Sequence, residues 1–193
     1  MTPTDVIIQI FSDYLPENAR DEDYSYVGWD CNNPIAAFFN YADSYRYAAD
    51  LLYHEFRDSK KSLSDLDRLG YAICYLYRQS IELSLKFIYM CTKETLANKK
   101  TFIKKGHNLV TLWQCLKPHI EKCKDKDWTA IDYYIKEFNK FDSNSMLMRY
   151  PVDKEMRPNK GDLKINIKIF VKAAKELQTK LMFVGEGLCH MEG

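Results

Sequence analysis

Three charged side chains in an otherwise uncharged segment have residue types and a spacing that could form ion pairs or a polar site. Arg78, Glu82 and Lys86 lie four residues apart within residues 69–91, where most other residues are apolar or aromatic. On an α-helix this spacing puts all three on one stripe, where neighbouring charges can form ion pairs. A helix that is apolar nearly all round is buried, and charges carried into a core or interface must be paired. The stripe therefore marks either a structural ion pair or a polar pocket or dimer contact.

Further polar candidates occur later in the chain, in the segments GHNL and FDSNSMLMRYP. His107 stands at the start of a helical pattern, where it is either a capping or surface residue or an acid–base group. Asp142 and Ser145 follow another helical pattern and have side chains that bond their own backbone, which stops a helix. Arg149 either ties back to a carboxylate of this turn or joins Arg78 to bind phosphate, whose oxygens match the guanidinium fork.

The sequence offers little for a metal or an organic cofactor. His119 and Cys123 are four residues apart and Cys189 directly precedes His190, but neither pair has the spacing of a zinc site. No Glu-x-x-His motif of a di-iron bundle is present. Glycine-rich phosphate loops, the Gly-x-Ser-x-Gly motif and the Rossmann fingerprint are missing as well. We therefore expect neither a metal nor a cofactor.

The composition indicates one soluble domain without a strong overall charge. The 193 residues are 46% hydrophobic and 14% aromatic, which supplies a core, and the formal net charge is +1. No global field draws the molecule to nucleic acid or an anionic membrane, so such binding must be local. Six cysteines without a Cys-x-x-Cys pair are typical of free thiols in a reducing compartment. With no signal peptide or uninterrupted apolar span, we expect a cytoplasmic protein that does not enter a membrane.

The elements that must position these residues are all helical. Apolar residues recur at steps of three and four in five stretches, approximately residues 34–57, 63–90, 109–120, 127–141 and 162–184. The basic residues 99–106 look irregular. The pattern predicts an all-α, up-and-down bundle of four to five helices over residues 34–193, with the second helix at its centre. An irregular acidic N-terminal segment, residues 1–33, is expected to pack on this core.

The last predicted helix carries a row of lysines along one flank. This row is either a solvated face or a track for RNA, and it consists of Lys164, Lys168, Lys172 and Lys175.

Three segments in this order, YAICYLYRQSIELSLKFIYM, GHNLVTLW and a helix ending in FDSNSMLMRYP, resemble the HEPN group of helical domains, named for higher eukaryotes and prokaryotes nucleotide-binding. The likeness covers about residues 34–184. It rests on an Arg and a Glu within the second helix, a His-Asn-Leu start to the next and an Arg-Tyr-Pro turn before the last. The resemblance implies an up-and-down bundle that often dimerises. It also implies a role in RNA cleavage, toxin–antitoxin pairs, phage defence or partnership with a minimal nucleotidyltransferase.

One motif of the HEPN ribonucleases is missing. In those enzymes an Arg is followed four to six residues later by a His, and both act on the scissile phosphate. Here Arg149 is followed by YPVDKEM and Arg78 by QSIELSLK, neither of which contains a histidine. Only Arg149 lies near the expected place, so a general acid–base partner would have to come from His107 across the bundle. The chain therefore looks like a divergent or non-catalytic member.

Three functions are compatible with these residues. We favour a dimeric binding module whose polar interface or pocket takes RNA or a nucleotide, with a nucleotidyltransferase or an antitoxin as a further partner. The second is a metal-independent ribonuclease, with His107 as acid or base and Arg78 and Arg149 holding the phosphate. The third is a purely structural bundle with an internal ion pair. The polar pocket or interface of the first consists of Arg78, Glu82, Lys86, Asp142 and Ser145, with His107 and Arg149 as the candidates for catalysis.

Overall fold

The computed structural model describes residues 33–58, 62–120, 128–158 and 164–190. Within these ranges the chain folds into six helices without a strand, and the predicted all-α bundle is confirmed. The predicted packing of the N-terminal segment falls on residues 1–32, outside the described residues. The helices are α1 (Pro34–Asp58), α2 (Leu63–Met90), α3 (Leu96–Ile103), α4 (Leu109–Ile120), α5 (Trp128–Phe141) and α6 (Ile167–His190).

The helix beyond the expected four to five is α3, which forms in the basic segment that looks irregular in the sequence. Thr95 caps it, with its side-chain oxygen accepting the backbone N–H of Asn98 at 3.2 Å. Phe102 is the buried residue of this helix, and its ring stacks on Tyr89 of α2. A helix of eight residues with one buried anchor has no apolar periodicity, so hydrophobic spacing could not reveal it.

α2 lies at the centre of the bundle, as predicted, and packs against α1, α3, α4 and α6. Ser62 caps its N-terminus by accepting the backbone N–H of Asp65 at 3.2 Å. Apolar side chains from four other helices, together with its own, close around its middle turns and exclude water from them. Fully buried examples, in chain order, are Ala49, Ile81, Leu112, Ile135 and Leu181.

Contacts along α2 set the directions of the two long helices beside it. Phe39, near the start of α1, packs edge to face on Phe87, near the end of α2, so these helices are antiparallel. At the beginning of α6, Ile167 lies against Gly70, and towards its end Gly185 lies against Phe87. α6 therefore runs in the same direction as α2.

The start of α4 and the end of α5 meet beside the middle of α2. His107, just before α4, contacts Glu82, and His119, near the end of α4, contacts Tyr89. α4 therefore runs parallel to α2, because α3 and the turn after it return the chain to the middle of the central helix. α5 is antiparallel to α4, which brings its C-terminal end to the same place. This meeting point is where α2 carries its charged stripe.

The sequence predicts that all the cysteines are free thiols, and one of the described cysteines is not. Cys91, directly after α2, is disulfide-bonded, so that expectation is wrong at this position. Cys74 and Cys115 are free thiols. Burial raises the pKa of the Cys74 thiol to about 12, which keeps it protonated. Residue spacing cannot reveal a disulfide between cysteines that only the fold brings together.

Candidate functional site

The charged stripe of α2 is withdrawn from water, as the sequence predicts. Arg78 and Glu82 are 0% exposed, and Lys86 is buried as well. Arg78 Nη1 donates to Glu82 Oε2 at 3.0 Å, and Lys86 Nζ donates to Glu82 Oε1 at 2.7 Å. Because each pair is four residues apart on one helix, the backbone geometry alone makes both contacts possible. Two cations thus share one carboxylate inside the bundle.

Arg78 joins three parts of the chain through its guanidinium. Besides the bond to Glu82, its Nε donates to the backbone carbonyl of Asp142 at 3.2 Å, and its Nη2 donates to the backbone carbonyl of His107. It therefore links the middle of α2 to the end of α5 and to the turn before α4. Burial lowers the pKa of Arg78, although the charge of Glu82 opposes this shift. Arg78 nevertheless stays protonated, because the guanidinium group is a very weak acid. Its buried and fully engaged side chain organises the fold and does not face a ligand in solvent.

Glu82 accepts from a third residue, His107. The imidazole Nδ1 lies 2.9 Å from Oε1 and 3.1 Å from Oε2. Burial by itself would raise the pKa of this carboxyl. The hydrogen bond from Lys86 and the charges of Lys86, Arg78 and His107 outweigh burial and hold the pKa below its ordinary value. Glu82 is therefore an ionised carboxylate that fixes the orientation of the imidazole.

His107 is the member of this network that reaches solvent, with 43% of its side chain exposed. Because Nδ1 faces the Glu82 carboxylate, Nε2 is the ring nitrogen that can meet a ligand. The alternative in which His107 caps α4 is wrong, since Asn108 Oδ1 accepts the backbone N–H of Thr111 at 2.9 Å. The turn that presents the imidazole contains Gly106 at φ 84°, a conformation that favours glycine.

The turn after α5 also joins the network. Asp142 Oδ1 accepts the backbone N–H groups of Met146 at 2.9 Å and Leu147 at 3.2 Å, which ends the helix as predicted. Ser145 is fully buried at φ 56°. Asp142 Oδ2 and Ser145 Oγ are buried and have no hydrogen-bond partner among the described residues. Both residues therefore shape the turn, and two polar atoms remain for a ligand or an ordered water to satisfy.

Arg149 lies at the edge of this network and is exposed. Its guanidinium carbon stands 6.0 Å from the centroid of the Tyr75 ring, a cation–π contact. In the described part of the chain it pairs with no carboxylate, so the first of its two alternatives, a tie to a carboxylate of the turn, does not form. Tyr75 and Glu82 are seven residues apart, or about 10 Å along a helix. Arg149 and His107 thus mark the two ends of one face of α2.

Some participants have no signal in the sequence. Asn139 of α5 accepts the backbone N–H of Leu109 through Oδ1 at 3.0 Å and so fixes the start of α4. Its partner is 30 residues away, and spacing says nothing about such a pair. Arg78 binds main-chain carbonyls, which every residue possesses, so the identities of Asp142 and His107 did not indicate those bonds.

The described residues contain neither a cluster of metal ligands nor a membrane-spanning helix. In residues 33–58, 62–120, 128–158 and 164–190, no three side chains of His, Cys, Asp or Glu gather as a metal site would require. The helices described there all lack the apolar length needed to cross a bilayer.

Comparison with known proteins identifies no relative. No family model, no curated protein and no solved structure matches the chain.

Proposed function

We propose that this chain is a HEPN-like binding module, and that the rim of its buried charge network contacts the phosphate groups of RNA or of a nucleotide. His107 and Arg149 are the two contacting residues. Arg78 and Glu82 act behind them by holding the turns that carry them, and Lys86 acts through its ion pair with Glu82. Homodimer formation, and a nucleotidyltransferase or an antitoxin as partner, belong to the same proposal and follow from the resemblance.

The proposal rests mainly on the state of Arg149. Arg157, an exposed arginine in the same connection, pairs with Asp153 and Glu155. Arg149 instead lies over an aromatic ring and leaves its donors for a ligand. A guanidinium donates in a fork that fits phosphate oxygens.

Basic residues beside His107 support the same ligand. Lys104 and Lys105 are exposed in the turn that precedes the imidazole. These two lysines make this end of the face locally positive, although the whole chain carries a formal net charge of only +1. A local cluster of cations is what phosphate binding requires.

Salt-dependent binding of single-stranded RNA tests this function. We would measure the affinity of a fluorescein-labelled oligonucleotide by anisotropy over a range of salt concentrations, for the wild type and for Arg149→Gln. If Arg149 contacts a phosphate, the variant binds more weakly and the slope of log K against log salt falls in magnitude by about 1.

Arg157→Gln is the matched control for this measurement. Arg157 lies in the same connection and is exposed, but carboxylates already neutralise its charge. We expect its affinity and salt slope to equal those of the wild type. Equal losses in the two variants, or no binding by the wild type, would overturn the proposal.

A second candidate function, a metal-independent ribonuclease, is favoured by the Glu82–His107 contact. A carboxylate on Nδ1 leaves Nε2 to take the proton from a ribose 2′-hydroxyl, whose oxygen then attacks the adjacent phosphorus. The bond to the 5′-oxygen breaks, and that oxygen takes the proton from Nε2 of the imidazolium and leaves as a hydroxyl, giving a 2′,3′-cyclic phosphate and a neutral imidazole. This candidate predicts cleavage of RNA in EDTA, lost in His107→Ala while the circular dichroism spectrum stays the same. Intact RNA after incubation with the wild type would eliminate it.

A further inference from the structure

The groove between α5 and α6 forms a ligand-sized pocket away from the charge network. Its volume is about 440 Å³, within the range of about 300–1,000 Å³ that small-molecule pockets occupy. Aromatic rings make up much of its lining, among them Tyr133, Tyr134 and Phe138, and Glu137 and Lys172 also line it. Flat apolar walls with a few charged groups are suited to a planar, polar-edged ligand.

We propose that this groove binds an unstacked nucleobase that carries an exocyclic amino group, with cytosine preferred over uracil. The inference rests on the proposed function, because it assigns base recognition to a protein that holds RNA by its phosphates. Aromatic side chains stack on unpaired bases, and carboxylates accept from the amino group of cytosine. The corresponding oxygen of uracil is an acceptor that a carboxylate repels.

Tyr133 is the stacking surface. The residue is 60% exposed, and its ring lies 5.6 Å from the ring of Tyr134, to which it is inclined at 63°. Glu176, which also lines the groove, raises the pKa of Tyr134. The groove therefore combines one exposed ring with one half-buried ring.

Glu137 supplies the acceptor for the amino group. Its Oε1 accepts from Lys140 at 2.6 Å, while Oε2 has no hydrogen-bond partner among the described residues. A carboxylate has room for several donors, so the second oxygen can take a hydrogen bond from a base. Glu137 lies one helical turn from Tyr133 on α5, so we assign the acceptor to this carboxylate of the groove.

The lysines of α6 complete the site. Lys175 forms an ion pair with Asp50 of α1 at 2.8 Å and belongs to the fold. Lys168 and Lys172 are exposed, one helical turn apart, and pair with no carboxylate in the described ranges, and Lys172 lines the groove. The flank is thus divided, with two lysines free to contact phosphates on either side of a bound base.

Matched homopolymers separate base recognition from phosphate binding. We would measure the anisotropy of labelled oligo(C) and oligo(U) with the wild type, Tyr133→Ala, Tyr133→Phe and Glu137→Gln. The wild type should prefer oligo(C). Tyr133→Ala should bind oligo(C) about tenfold more weakly, as the loss of one stacked base predicts, while Tyr133→Phe keeps the wild-type affinity. Glu137→Gln should reduce the preference for oligo(C) over oligo(U).

Tyr47→Ala is the control, since Tyr47 has the same 60% exposure as Tyr133 but lies on α1, outside the groove. It should bind both homopolymers as the wild type does. The groove inference is overturned, and the proposed function stands, if RNA binding depends on Arg149 but the two homopolymers bind equally and Tyr133→Ala has no effect.

Cytidine 5′-monophosphate tests the groove without RNA. Added to isotope-labelled protein, it should shift the backbone amide resonances of α5 and α6 near Tyr133 and Lys172, and uridine 5′-monophosphate should shift them less. If these shifts occur although the wild type binds no RNA, the groove inference stands and the proposed function fails. Shifts confined to other helices, or no shifts at all, would overturn the inference.

Discussion

Glu82 is the residue on which the buried cations depend. Its carboxylate accepts from Arg78, Lys86 and His107 while it is itself withdrawn from water. An ion pair in a low-dielectric interior repays its desolvation only when the partners and their hydrogen bonds are all present. Removing the shared acceptor therefore costs far more than removing a surface acid.

Replacing Glu82 by glutamine should severely destabilise the protein. The substitution keeps the shape of the side chain but leaves two buried cations without a counter-charge, so we expect a loss of about 3–5 kcal/mol in the free energy of unfolding. Urea unfolding followed by circular dichroism measures it. Glu155→Gln is the control, because that side chain is 63% exposed and should change stability by no more than about 0.5 kcal/mol. Equal effects of the two substitutions would show that the network contributes nothing to stability.

The same carboxylate predicts a pH dependence. The folded protein holds the pKa of Glu82 below its ordinary value of 4.5, so the unfolded chain binds the proton more tightly. The stabilisation is therefore fully present above pH 4.5 and is lost as the pH falls through the folded pKa. The gap in unfolding free energy between wild type and Glu82→Gln should narrow as the pH is lowered from about 5 to 3. A gap that stays constant over this range would contradict the assignment.

The contact between α2 and α6 depends on two glycines in different surroundings. A Cβ added at Gly70 would lie 3.5 Å from the Ile167 side chain, an ordinary van der Waals distance. A Cβ at Gly185 would lie 2.5 Å from the ring of Phe87, which itself packs on Phe39. The helices therefore have room for a methyl group at one end and none at the other.

Alanine substitutions at these glycines should have opposite effects. Gly70→Ala should stabilise the protein by about 0.5–1 kcal/mol, because alanine has less backbone entropy to lose in a helix. Gly185→Ala gains the same helix propensity, but overpacking against Phe87 costs about 1–3 kcal/mol and should lower the melting temperature. Differential scanning calorimetry of both variants checks this, and a rise in both melting temperatures would refute the close packing at Gly185.

A buried polar contact in the core connects the three longest helices of the bundle. Ser80 Oγ of α2 donates to the backbone carbonyl of Ala42 in α1 at 2.6 Å and accepts from Nε2 of Gln178 in α6. All three groups are buried. One hydroxyl thus joins the three longest helices, and its loss leaves the buried amide donor of Gln178 unsatisfied.

Ser80→Ala should therefore destabilise the molecule by about 1–3 kcal/mol. Ser84 provides a matched control on the same helix, because its buried hydroxyl donates only to the Ser80 carbonyl one turn earlier. Ser84→Ala should cost less than about 1 kcal/mol, since that carbonyl lies within the α2 ladder. Chemical denaturation of both variants gives the difference, and equal losses would mean that the contact between helices has no special weight.

The sequence by itself determined the helices that are long enough to show an apolar period, and it determined that α2 would be buried with its charges paired along one stripe. Both follow from contacts within one helix, where a spacing of four residues is a distance in space. The sequence did not predict α3, because this helix is too short to show an apolar period. The residues His107, Asp142 and Arg149 could be named as candidates because their types and local turns are unusual, but their partners could not.

Only the tertiary structure decided which turns Arg78 holds, that Glu82 orients His107, and that α5 and α6 enclose an aromatic groove. These features depend on the directions and rotations of helices distant in sequence, and several use main-chain carbonyls that no residue type reveals. The disulfide of Cys91 belongs with them. The period of a helix tells which side is apolar, whereas the neighbour that covers this side is chosen by the packing of the whole chain.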